Sequence, residues 1–156
     1  MENRILELWS VVGHSAALTE VLPKVVSLLQ RWYPLRRILV RQIEHSPPVV
    51  LTIAMASSLE QAAIAESIAE NRLELTESEL QDVAAWHALR QPIVTQGGID
   101  SSHRITRVLP PELAGTWLAV SLGDPESCEG IILFELDLDR PLEQEALEFF
   151  RAASEP

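Results

Sequence analysis

Cysteine is nearly missing from this chain: Cys128 is the one thiol in 156 residues. A lone cysteine forms no internal disulfide and organises no zinc site, which excludes secreted disulfide scaffolds and zinc modules. Long apolar runs are lacking too. The longest, such as Val49 to Ala56 and Gly130 to Phe134, fall far short of the roughly 18–20 residues a bilayer-spanning helix needs. The start, MENRILELWSVVGHSA, mixes acids with apolar residues and has no basic lead, so it does not read as a signal peptide. A cytoplasmic domain without a membrane partner is the expectation. The 6 glycines and 10 prolines show no period, which excludes a fibrous chain.

Positive charge is also scarce, with 12 Lys and Arg against 23 Asp and Glu and a formal net charge of -11. The excess sits in two windows, Glu60 to Asp82 and Asp124 to Glu148. Such a surface repels a phosphate backbone, so direct nucleic-acid binding by this domain is excluded. The one basic cluster, Arg31, Arg36, Arg37 and Arg41, lacks interleaved aromatics. It reads as a solvated face or as charge compensation at a helix C-terminus.

What is present is enough apolar material for one core: 47% of residues are hydrophobic and 22% charged. Ile5, Leu8, Trp9 and Val12 follow helical spacing, and after Gly13-His14-Ser15 the stripe resumes with Leu18, Leu22, Val25, Val26, Leu29 and Trp32. Pro34 stops it. Leu35 to His45 and Val49 to Ala56 read as two strands of an antiparallel hairpin, broken by Ser46-Pro47-Pro48. Ser57 or Ser58 caps a helix over Leu59 to Ala69. Thr76-Glu77-Ser78-Glu79 has capping-box spacing and opens another helix, which ends before Pro92.

Ile93 to Gln96 reads as a short strand. The stretch Gly97 to His103 reads as a loop, and Ile105 to Leu109 alternate up to Pro110-Pro111. Thr116 to Leu122 and Glu129 to Asp137 form the strongest hairpin signal. Pro141 then opens an amphipathic helix through Leu142, Ala146, Phe149, Phe150 and Ala153. Helices that open and close a central antiparallel sheet make an α+β domain. The last helix is still apolar and periodic near the final residue, so it is expected to continue into an output domain absent from this sequence.

Catalytic signatures are missing. No two of His14, His45, His87 and His103 stand at H-x-x-x-H spacing, and there is no C-x-x-C, G-x-S-x-G, phosphate loop or dinucleotide fingerprint. No metal site, cofactor or catalytic residue is named, and the chain is not expected to be an enzyme. Cys128 lies on the predicted hairpin turn among acids, which raise a thiol pKa and disfavour the nucleophilic thiolate. His87 beside Trp86 sits on a predicted helix. His103, at the edge of the Gly97 to Ser102 loop with Arg104 next to it, is placed to meet an anionic ligand. Trp117 opens a core strand and either fills the core or lines a pocket.

The closing segment, GTWLAVSLGDPESCEGIILFELDLDRPLEQEALEFFRAASEP, runs as strand, turn, glycine-led strand and proline-led helix, with Gly130 and Arg140-Pro141-Leu142 at the marked places. The opening LTEVLPKVVSLLQRWYPLRRILVRQIE supplies a first helix and first strand. In this order the chain resembles a GAF domain, the small sensory module related to PAS, over roughly residues 17–156. It looks most like the N-terminal sensory domain of a bacterial sigma-54-dependent transcriptional regulator.

The resemblance implies a single GAF-like domain over 1–156. Its antiparallel sheet would have helices on one face and a helical and loop region over the other, where a small molecule would sit. By layout it points to Trp86, His87, His103, Arg104 and Trp117 as pocket candidates. The residue sets of the cyclic-nucleotide-binding, bilin-binding and methionine-sulfoxide-reducing members are absent. The implied function is a non-catalytic regulatory domain in signal transduction and transcription regulation. It would form a homodimer through its terminal helices, Ile5, Leu8, Trp9 and Val12 with Leu142, Phe149 and Phe150. The alternative is a structural dimerisation module without a ligand.

Overall fold

The structure is a computed structural model and describes residues 4, 18–57, 72–96, 108, 116–124, 126–137 and 142–154. The elements, in chain order, are α1 (Leu18–Leu29), β1 (Leu35–His45), β2 (Pro48–Ser57), β3 (Arg72–Glu74), α2 (Glu77–Leu89), β4 (Ile93–Gln96), β5 (Thr116–Leu122), β6 (Gly130–Leu136) and α3 (Gln144–Ser154). The strands form one six-stranded sheet, ordered β3-β2-β1-β6-β5-β4. Every pairing is antiparallel. This is the α+β architecture expected from the sequence. β3, three residues long, falls below the length at which periodicity carries a signal.

Strand alternation sorts the side chains onto two faces. On one face Ile38, Val40, Ala54, Ala56, Leu118, Val120, Phe134 and Leu136 pack against α1 and α3. α1 contributes Val21, Leu22, Val25, Val26, Leu28 and Leu29, which recur at helical spacing. α3 contributes Phe149 and Phe150, both 0% exposed. The rings of Phe134 and Phe150 lie 4.6 Å apart, and Tyr33 stands 5.2 Å from Phe149 and 5.1 Å from Phe150. Such contacts add specific ring geometry to the burial of a large apolar area.

This packing takes Phe149 and Phe150 out of the seam expected for a homodimer. Phe149 and Phe150 are consumed by the chain's own core, because α3 turns its apolar stripe onto the sheet. Its outward positions are the exposed Glu143, Glu145, Glu148 and Arg151. Ile5, Leu8, Trp9 and Val12 lie outside the described residues, as do the helix expected over Leu59 to Ala69 and most of the alternating run from Ile105 to Leu109.

On the other face Leu39, Ile43, Val50, Ile131, Leu133, Trp117 and Ala119 meet Val83 and Trp86 of α2, together with Val108. α2 starts as its sequence dictates. Thr76 Oγ1 accepts from the Glu79 amide at 3.2 Å, and the Glu79 carboxylate accepts from the Thr76 amide at 2.8 Å. It ends at Arg90, which takes a left-handed conformation with φ 51°.

Two irregularities in β1 set the site described below. At Val40/Arg41 the register with β2 shifts so that Ile53 is extra. A second shift against β6 lies between Leu35 and Arg37.

Gly130 opens β6 where β1 passes closest. A Cβ at this position would lie 2.7 Å from the Arg41 carbonyl oxygen, a backbone atom that cannot swing aside. The Gly130→Ala variant is expected to lose about 1–3 kcal/mol of stability, read as a lower urea midpoint with an unchanged slope.

Candidate functional site

The face covered by α2 is not uniformly apolar. Ser57, Arg37, Glu135 and Trp117 stand in one transverse row, since Arg37 pairs with both Ser57 and Glu135, and Glu135 pairs with Trp117. β2 ends at Ser57, β4 ends at Gln96 beside this row, and β5 begins at Thr116. Glu135 is 3% exposed. A carboxylate in such a place needs a paired charge, because desolvation of an isolated ion costs more than folding can offset.

Two consecutive arginines provide that charge. Arg37 Nε donates to Glu135 Oε2 at 2.8 Å, and Arg36 Nη1 lies 3.7 Å from Oε1. Neighbouring strand residues ordinarily point to opposite faces. The register shift between Leu35 and Arg37 accompanies the approach of both to one carboxylate. Arg36 also reaches Asp137, at 3.4 Å. The Arg37 guanidinium carbon lies 5.2 Å from the centre of the Trp117 ring, a cation–π arrangement. Trp117 is 1% exposed, and its indole Nε1 has no hydrogen-bond partner among the described residues.

Arg41 lies two rows away on the same face, buried, with Nη1 donating to the Val108 carbonyl. Burial pushes its pKa down to about 10, which leaves it protonated at neutral pH. The reading of Arg31, Arg36, Arg37 and Arg41 as a solvated face or helix-end charges is therefore corrected. Arg31 is exposed and Arg36 half-exposed, while Arg37 and Arg41 share the inner face with Leu39. The pattern was available in the alternation Arg37-Leu39-Arg41 and Ile131-Leu133-Glu135, which puts charge in step with core residues.

Of the five pocket candidates, Trp117 lies on the row. His87 does not. Its Nε2 meets the Asp124 carbonyl at 2.7 Å and its Nδ1 meets the Ser121 hydroxyl at 2.8 Å. A carbonyl only accepts, so a ring with its proton on Nε2, accepting from Ser121 at Nδ1, satisfies both contacts. This ties α2 to the turn between β5 and β6, four residues along β5 from Trp117. Trp86 donates from Nε1 to the Gln91 carbonyl at 2.8 Å and closes the end of the same helix. His103 and Arg104 lie outside the described residues.

Among the described residues no group of three or more His, Cys, Asp or Glu is placed to hold a metal ion. Cys128 is buried at 2% exposure, and its pKa is pushed up to about 11. Burial is the main cause, with Glu129 a small addition. The sequence reading had the direction right, but desolvation outweighs the acidic neighbours it invoked.

With this geometry the chain has the fold of a GAF domain. It superposes on the GAF domain of a phosphoenolpyruvate-protein phosphotransferase from Coxiella burnetii with a TM-score of 0.70 at 14% identity, covering 98% of this chain and 87% of that one. For the corresponding GAF domain from Acinetobacter the TM-score is 0.68, at the same identity and coverage. The free methionine-R-sulfoxide reductase of Neisseria meningitidis, solved with its substrate, matches with a TM-score of 0.58 at 11% identity, over 96% of this chain and 81% of that one. No protein-family model matches the sequence. No curated protein matches it either.

A thiol with a pKa near 11 is a thiolate in only about one molecule in several thousand at pH 7.5. Iodoacetamide is expected to alkylate Cys128 in the native protein at least a hundredfold more slowly than in urea, as followed by intact mass. The sign for stability follows from the raised pKa. The thiol makes no demand below its ordinary value of 9.0, and native stability declines as pH rises from there through about 11.

Proposed function

We propose that this chain is a non-catalytic sensory domain in which a small molecule binds at the Arg37–Glu135–Trp117 row and biases the packing of α3, and so an output domain. One observation carries the reading. The site and α3 meet opposite faces of the same three residues of β6. Glu135 turns to the charged row, while Phe134 and Leu136 turn to the core beneath α3, with the Phe134 ring 4.6 Å from that of Phe150. A ligand that alters the Glu135 pairing acts on β6 one residue away from the α3 contact. It shifts α3 by as much as its affinity differs between the two packings.

Other features support this reading. Arg4 reaches the same aromatic cluster, with its guanidinium carbon 5.7 Å from the Trp32 ring and 6.0 Å from that of Tyr33. Arg4 and α3 therefore converge on Tyr33. The sulfoxide reductase, solved with its substrate, shows that a relative of the same fold accepts a small molecule. That enzyme's activity is not carried over, since Cys128 is buried and held as a thiol. The output is proposed to be transcription regulation, on the sequence resemblance to sigma-54-type regulators. His103 and Arg104, like Trp117, are proposed as pocket residues on the sequence resemblance, and a homodimer would rest on Ile5, Leu8, Trp9 and Val12.

A second reading, an assembly module without a ligand, is favoured by the stacking of Arg37 on Trp117, which fills part of the row with the chain's own side chains. Native mass spectrometry of the full chain purified from cells separates the two. The sensor reading expects a reproducible bound mass that is released on denaturation and absent from the Arg37→Gln/Glu135→Gln variant. A dimer with no adduct from any growth condition would favour assembly.

A further inference from the structure

Two sets of donors in the row, on Arg37 and on Trp117, have no acceptor among the described residues. Arg37 spends Nε on Glu135, and its Nη1 and Nη2 carry no hydrogen bond among the described residues. Its side chain is 30% exposed, so solvent reaches part of it. The Trp117 indole N–H is buried and unpartnered. A buried donor without an acceptor has given up its hydration with nothing in exchange, so an acceptor brought to it is favoured. The Arg37 guanidinium carbon lies 5.2 Å from the Trp117 ring centre, so the two donor sets belong to neighbouring, stacked side chains.

Charge narrows the class further. Two guanidinium groups, Arg36 and Arg37, face one buried carboxylate. The Asp137 carboxylate is 70% exposed and so largely screened by solvent. Formal charge balances over the four groups, since Arg36 is shared between Glu135 and Asp137, and the open fork belongs to Arg37 alone. A dianionic phosphate would carry a second negative charge against the fixed Glu135, whereas a neutral amide would offer the fork one oxygen instead of two.

We infer that the row takes a small organic carboxylate, whose two oxygens accept from the Nη1 and Nη2 fork of Arg37 while an acceptor of the same molecule meets the Trp117 indole N–H. This inference rests on the sensor reading and names the chemistry of that site. The planar guanidinium fork matches a carboxylate in a way a lysine would not. Arg37 stays pinned by Glu135 through Nε, so it meets the ligand already oriented and loses little rotamer freedom on binding.

The test is a titration of the full chain, followed by the indole N–H signals in proton–nitrogen NMR, with the Trp117 signal assigned from the Trp117→Phe variant. The probes share a body and differ in head group: benzoate, benzamide and phenyl phosphate, then propionate, propionamide and propyl phosphate. The expected result is that a carboxylate moves the Trp117 signal in a saturable way and its amide and phosphate partners do not. In Arg37→Gln/Glu135→Gln, which removes both charges together so that neither is stranded, Kd is expected to rise roughly tenfold or more.

An amide or a phosphate that binds as well as its carboxylate would overturn the carboxylate assignment while leaving the ligand-binding face in place. Saturable shifts confined to Trp9, Trp32 or Trp86 would overturn the location, and the sensor reading of this row with it. No shift from any probe would overturn the carboxylate assignment, and the native mass spectrum then decides separately whether the domain holds a ligand at all.

Discussion

Glu135 is the constraint around which the middle of the sheet is arranged. It sits in β6, the strand between β1 and β5, whose two faces are covered by different helices, and it is 3% exposed. Arg37 reaches it from β1 and supplies the paired charge that its burial calls for. The register break that accompanies the approach of Arg36, the stacking of Arg37 over Trp117, and the placement of Trp117 beside Glu135 all follow from satisfying that one carboxylate. Removing it in favour of an apolar side chain would ease the desolvation cost. It would also remove the feature that gives this face any chemistry beyond packing.

The face toward α1 and α3 has the opposite character. It is closed by aromatic and branched side chains, with Phe149 and Phe150 fully enclosed, and among the described residues it holds no buried charge. One surface of the sheet is thus a dry contact that transmits position. The other carries a charged row that can respond to a molecule. A strand alternates between these roles at every residue, so β6 needs no long pathway to join them.

Much of the fold was legible because local signals agreed with the tertiary arrangement. The capping box at Thr76, the proline break after His45, the alternation of Ile131 to Leu136 and the stripe from Leu22 to Leu29 each matched the element that formed. The site was less legible. Charged residues are expected outside, and only pairing across strands shows that Arg37 and Glu135 face one another; they are 98 residues apart in sequence. Trp117 was read as either core or pocket wall, and its unpartnered N–H shows why one side chain invites both readings. His87 was singled out for its chemistry, yet two neighbours already claim both ring nitrogens. Phe149 and Phe150 look like a seam in a helical projection, because periodicity identifies an apolar face without saying which surface covers it.

The bonds from His87 to Ser121 and to the Asp124 carbonyl give the sheet a mechanical asymmetry. They clamp the turn between β5 and β6 to the end of α2. The charged row lies toward the other end of these strands, and β6 passes from Glu135 almost directly into the approach to α3. The hairpin is in effect a beam held at its turn and loaded near its tips. On the sensor reading, a ligand at the row would thus act on the end of the hairpin that His87 does not hold, one residue before β6 ends at Leu136.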